Sequence, residues 1–217
     1  MPDSTMIGPM PTVASHARDW QAAWTLAVAM GAIVASLLIA RPSIAAPITA
    51  AAAGATAGAT LAPVEVAGAL PRARLQGSGT LRYFGMAIYE ARLWAAPEFE
   101  SGRYEAHDLA LELRYARKLD GAAIAERSIA EMRRVGPVDP AQAKSWLVQL
   151  TQAFPDVKPG DRLTGVRGSG GVTRFYSNGQ LISSIADPEF GRLFFGIWLS
   201  ANTSEPALRR ELIGLNS

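Results

Sequence analysis

The chain is 217 residues long, 49% hydrophobic and 18% charged, with a formal net charge of +2 and no cysteine. That length suits one ordinary domain with additions. The missing cysteines exclude thiolate zinc sites, iron–sulfur clusters, cysteine nucleophiles and disulfide scaffolds, and with two histidines, His16 and His107, little remains for a metal centre. The basic residues are scattered, without an aromatic-laced patch, which disfavours nucleic acid as a partner.

The hydrophobic excess is local. Residues 1–60 carry only Asp3, Arg18, Asp19 and Arg41, and residues 22–40 (AAWTLAVAMGAIVASLLIA) hold no charge at all. Such a stretch is poorly soluble in water, and two readings compete. One is a secretory signal cleaved near the small residues Ser43, Ala45 and Ala46; the other is an uncleaved anchor of near-spanning length. Residues 1–46 are therefore expected to be a signal peptide or an N-terminal membrane anchor. Residues 47–66, dominated by Ala, Gly and Thr, lack the bulk to form a core and read as a linker. The folded domain is expected over 67–217. On either reading it is expected beyond a membrane, in a periplasmic or other extracytoplasmic position, tethered to the inner membrane on the anchor reading.

Within that domain the first signals are β-like. Residues 80–94 alternate about Gly85, with Tyr83, Ala87, Tyr89, Ala91 and Leu93 on one face and Phe84, Met86, Ile88 and Trp94 on the other. Leu109, Leu111, Leu113 and Tyr115 then alternate with Ala110, Glu112 and Arg114, a strand with one buried face. The period changes next. Asp120 is a suitable N-cap, Ile124, Ser128, Ile129 and Met132 follow a helical stripe, and Gly136 is a stop. Asp139-Pro140 opens a second helix with Trp146, Leu147, Leu150 and Phe154 on its apolar face.

Strands return at 163–166, 172–176 and 180–185, the last two joined by Ser177-Asn178-Gly179, a tight-hairpin signal. Asp187-Pro188-Glu189 caps a third helix, whose Phe190, Leu193, Phe194, Ile197 and Trp198 form a broad apolar stripe. A short helix from Pro206 ends at Gly214. The order β–β–β, α–α, β–β–β, α–α is α+β: a mostly antiparallel sheet with helices layered over one face.

Few residues suggest chemistry. The run Gly168-Ser169-Gly170-Gly171 lacks a following helix and a Lys-Ser/Thr, so it reads as a hairpin loop rather than a phosphate cradle. His107 and Asp108 are adjacent on an extended segment and point apart, and Glu126 and Glu131 read as solvent-facing helix positions. Arg82 and Tyr89 are different. A guanidinium and a phenol on an apolar sheet each need a partner, and a ligand carboxylate or enolate would serve both. A separation of seven puts them on opposite faces of a regular strand unless Gly85 resets the register; the plain alternative has Arg82 snorkelling to the edge and Tyr89 capping the core.

Taken together, Gly77-Ser78-Gly79-Thr80-Leu81-Arg82, Tyr89-Glu90-Ala91-Arg92-Leu93-Trp94, Phe154-Pro155-Asp156-Val157-Lys158-Pro159-Gly160-Asp161, Phe175-Tyr176-Ser177-Asn178-Gly179 and Phe190-Gly191-Arg192-Leu193-Phe194 resemble the bacterial chalcone isomerase-like family over about residues 70–214. The resemblance implies an open-faced β-sandwich, a large antiparallel sheet with a layer of helices, in a family whose bacterial members are commonly exported. Arg82 matches the arginine that the plant isomerases carry on their glycine-rich strand. Tyr89 falls where those enzymes have threonine, and no tyrosine occurs between Asp120 and Phe154. The pair looks more like the arginine and tyrosine with which the plastid fatty-acid-binding members hold a carboxylate.

The expected function is thus non-catalytic binding of a fatty acid or similar small amphipathic carboxylate in a sheet–helix cleft. Arg82 and Tyr89 would sit at the head, Phe84, Ile88 and the 190–198 stripe along the chain, and no cofactor or metal is called for. Two alternatives stay open: an isomerase (intramolecular lyase) acting on a chalcone-like enone with Arg82 and Tyr89 as its catalytic pair, and an envelope interaction module with no small-molecule site.

Overall fold

A computed structural model describes residues 60–168 and 170–215. In chain order it contains α1 (Val64–Ala69), β1 (Arg74–Tyr83), β2 (Met86–Ala95), a 3-10 turn (Ser101–Ala106), β3 (Leu109–Tyr115), α2 (Gly121–Val135), α3 (Pro140–Ala153), β4 (Arg162–Arg167), β5 (Thr173–Ser177), β6 (Gln180–Ile185), α4 (Pro188–Leu199) and α5 (Pro206–Leu212). The six strands form one open antiparallel sheet in sequence order, β1 to β6. The α2–α3 pair is an excursion between the neighbouring strands β3 and β4. It is pinned at its base by the Leu119–Val157 bridge and by Gly121 N, which donates to Asp156 Oδ1 at 3.0 Å.

Alternation explains the two faces. Leu93, Leu111, Gly165 and Phe175 stand side by side across four strands and face α2 to α5. The next row, Trp94, Ala110, Val166 and Arg174, faces the other way. On the helical side Phe190, Leu193, Phe194, Phe195, Ile197 and Trp198 are all buried, and full burial of each such side chain is worth about 1.5–3 kcal/mol. The three aspartates at helix starts act as the sequence suggests. Asp120 accepts from Ala123 N, Asp139 from Ala141 N and Gln142 N, and Asp187 from Glu189 N and Phe190 N.

Several details differ from the sequence reading. Helices do not keep to one face, because α1 packs Val66 and Leu70 against Trp94, Ala110 and Val166 on the other. The fold also takes in Glu65 and Val66, which a domain boundary at 67 leaves in the linker. Both are buried, Glu65 because its carboxylate accepts from Arg162 Nη2 at 2.9 and 3.0 Å and from Thr164 Oγ1 at 2.8 Å. Glu131 is buried rather than solvent-facing, since Arg127 and Arg134 of its own helix neutralise it at 2.7 and 3.4 Å. The proposed segment 22–40 and any cleavage point lie outside the described residues; among the described residues no helix is long and apolar enough to cross a membrane.

Candidate functional site

Gly85 does more than interrupt a strand. Phe84 and Gly85, at φ 47° and 78°, form a two-residue turn that separates β1 from β2. Leu81 stands opposite Tyr89, and a register shift then sets Arg82 opposite Ala87. Arg82 is therefore one step past Tyr89's partner, at the end of an edge strand. Its side chain is exposed, and its guanidinium reaches the carbonyl of Gly85 at 3.5 Å, with no carboxylate paired to it among the described residues. Phe84 is 82% exposed at the turn and lines no cleft, because the turn carries it away from the sheet; Ile88 is buried.

Tyr89 points into the sheet–helix layer. The indole Nε1–H of Trp198, near the end of α4, donates to its hydroxyl oxygen at 3.0 Å. Across the ladder on β3 stands Tyr115, the two rings meeting edge to face with centroids 5.9 Å apart. Burial holds the Tyr89 hydroxyl well above the ordinary tyrosine range, against the smaller opposing effect of the Trp198 N–H. Burial, and then the neighbouring Tyr89, does the same for Tyr115. Both phenols are therefore protonated donors at neutral pH. An indole N–H can only donate, so the bond from Trp198 occupies a lone pair of Tyr89 and leaves the tyrosine's own O–H to be given elsewhere.

Around this pair sits a charged cluster that the sequence does not reveal. Arg127 and Glu131 of α2 and Glu205, which precedes α5, all act electrostatically on the Tyr89 hydroxyl. Burial first, and the Glu131 carboxylate second, push Glu205 above the usual carboxylate range, with Arg127 opposing. The only sequence clue is the i, i+4 spacing of Arg127 and Glu131, which is equally common on solvated helices.

The described contacts thus place Arg82 and Tyr89 near one another in register but in different surroundings, the guanidinium in solvent at the sheet edge and the phenol half-buried against the end of α4. Other motifs are structural. His107 Nε2 accepts from Glu100 N at 3.4 Å, and Gly168 and Gly171 belong to the β4–β5 loop. Among the described residues no three His, Asp or Glu side chains converge as a metal ion would require.

Comparison with known proteins agrees with this architecture. A crystal structure of a fatty-acid-binding protein from Arabidopsis thaliana superposes with a TM-score of 0.52, covering 65% of this chain and 87% of that one at 11% identity, a likeness of fold alone. An uncharacterized protein of Haemophilus influenzae is 28% identical over 121 residues, 53% of this chain and 57% of the relative, so the match spans little more than half of either. The family model for chalcone isomerase-like proteins matches residues 55–214, nearly three quarters of the sequence and every described strand and helix, and the chain belongs to that family.

Proposed function

We propose that the domain binds a small amphipathic carboxylate of fatty-acid type, with Tyr89 and Arg82 at the head group, and that it does so on the far side of the membrane addressed by residues 22–40. The observation that carries this reading is the Tyr89 hydroxyl: half-buried, protonated, already accepting from Trp198, and so equipped to donate to an anion. Arg82, one step along the neighbouring strand and without a carboxylate partner among the described residues, supplies the opposing charge by swinging round the sheet edge. The fold shared with a fatty-acid-binding protein supports the ligand class. Rings of α4 pack closely beside Tyr89, Trp198 hydrogen-bonded to it and meeting Phe194 edge to face at 5.5 Å, so an acyl chain enters by displacing side chains. Trp198 is the one whose movement breaks a hydrogen bond.

The test is calorimetric titration of the folded protein with palmitate and with its methyl ester. Recognition of the anion predicts binding of the acid and rejection of the ester. Loss of one charge-assisted hydrogen bond, about 1.5–3 kcal/mol, predicts a roughly 10- to 150-fold weaker affinity for Arg82→Ala and for Tyr89→Phe. Variants that fold normally and bind palmitate as well as the parent would overturn the reading.

A further inference from the structure

Two tight turns among the described residues share left-handed φ at both central positions, and they differ in one instructive way. Between β5 and β6 the turn residues are Asn178 and Gly179, at φ 50° and 89°, a pairing that suits two left-handed positions. Between β1 and β2 the same conformation is imposed on Phe84, at φ 47°, where a bulky residue is strained. Burial does not compensate for that strain. Phe84 is 82% exposed and meets the ring of Tyr83, itself 38% exposed, with centroids 4.5 Å apart. An aromatic that is both strained and solvated contributes little to the fold.

Its surroundings indicate what it meets. The ends of β1, β3 and β5 and the starts of β2, β4 and β6 lie at one end of the sheet. Besides Tyr83 and Phe84, that end carries Leu181, 59% exposed, and Val64, 76% exposed, which lies against the Asn178-Gly179 turn. Leu61, three residues before Val64, is 89% exposed. Four of the seven large exposed apolar side chains among the described residues thus lie at this end, Tyr83 and Phe84 at the β1–β2 edge and Val64 and Leu181 at the β5–β6 edge. Arg117, Lys118 and Lys158 border it, none in an ion pair among the described residues. The nearby carboxylates of Asp120, Asp156 and Asp161 are engaged by the amides of Ala123, Gly121 and Lys158. The chain also enters the domain here, from the linker that follows the chargeless residues 22–40.

We infer that this end of the sheet, led by the Tyr83-Phe84 tip, rests on the surface of a lipid bilayer containing anionic lipid. The aromatics sit at head-group depth, and the three cations face phosphates. A tether entering at the same end holds the surface against the membrane, so a modest apolar tip suffices. This inference does not depend on the identity of any ligand.

The absence of native cysteine makes the test direct. The full-length chain is reconstituted in vesicles of phosphatidylethanolamine and phosphatidylglycerol containing a head-group-region quencher. An environment-sensitive dye is placed on Gln180→Cys, at the proposed contact end, or on Gly102→Cys, at the opposite end. Quenching is expected at 180 and not at 102. Phe84→Asn, which suits the turn better than phenylalanine and so preserves the fold, should lower the ratio of docked to undocked protein roughly ten-fold. Equal quenching at both positions, none at 180, or a docked-to-undocked ratio that Phe84→Asn leaves unchanged would overturn the inference. So would a dye response that follows protein concentration without vesicles, which would assign the tip to a second copy.

Discussion

Glu65 offers a sharp test of how the fold is closed. Its side chain is wholly inaccessible, and its carboxylate accepts three hydrogen bonds across 97 and 99 residues of sequence, two from Arg162 and one from Thr164. Removing it by Glu65→Ala leaves Thr164, itself buried, without its acceptor and leaves Arg162 with only Glu112, 3.7 Å from its Nε. Breaking a buried pair by deleting one partner costs about 3–5 kcal/mol, and because the Arg162 side chain keeps 28% of its exposure the lower end applies. At about 2–4 °C per kcal/mol for a domain of this size, Tm should fall by about 6–12 °C. Urea unfolding of residues 60–217 followed by circular dichroism reads the same loss as a lower midpoint at unchanged m-value. Glu65→Ala/Arg162→Met/Glu112→Gln should recover much of it, since no uncompensated charge remains and the new amide's carbonyl can still accept from the Trp94 indole. A single variant within about 1 kcal/mol of the parent would refute the view that α1 is locked to the sheet by this carboxylate.

Three further outcomes follow from the geometry. Asp187→Ala removes the cap of α4 together with the acceptor of the Trp146 indole, and should cost about 2–3 kcal/mol in the same unfolding assay. Phe84→Asn should instead raise the free energy of unfolding by about 0.5–1 kcal/mol, read as a higher midpoint, as left-handed strain is relieved. The raised Glu205 carboxyl penalises the folded state once it ionises, so its contribution is favourable below the unfolded value of about 4.3 and is lost as pH rises through the higher folded value. Thermal melts from pH 4 to 8 should therefore show Glu205→Gln gaining stability over the parent as pH rises, and a constant difference would contradict the assignment.

How much of this was legible beforehand depends on the range of the interaction. Asp120, Asp139 and Asp187 cap the helices they precede, and Asn178-Gly179 makes its turn, because caps and tight turns are settled within three or four residues. The Phe84-Gly85 turn was half visible: glycine marked the break, but phenylalanine at a left-handed position is not a turn signal. Arg82 and Tyr89 stood out as polar groups on an apolar sheet, yet their relation rests on a register shift that no spacing rule supplies.

Alternation and helical stripes by themselves determined an antiparallel α+β domain, since a period of two or 3.6 reports which side of an element is buried whatever it packs against. Only the tertiary structure decided the rest. It buried Glu131, which a helical wheel leaves in solvent, beside Arg127, Arg134 and the Glu205 that shares its surroundings. It turned an alanine-rich flank into α1 through a carboxylate 97 residues from its arginine, and it joined the Tyr89 phenol to the Trp198 indole 109 residues away. Charges and hydrogen-bond donors acquire partners by proximity in space, which the sequence encodes only through the fold as a whole.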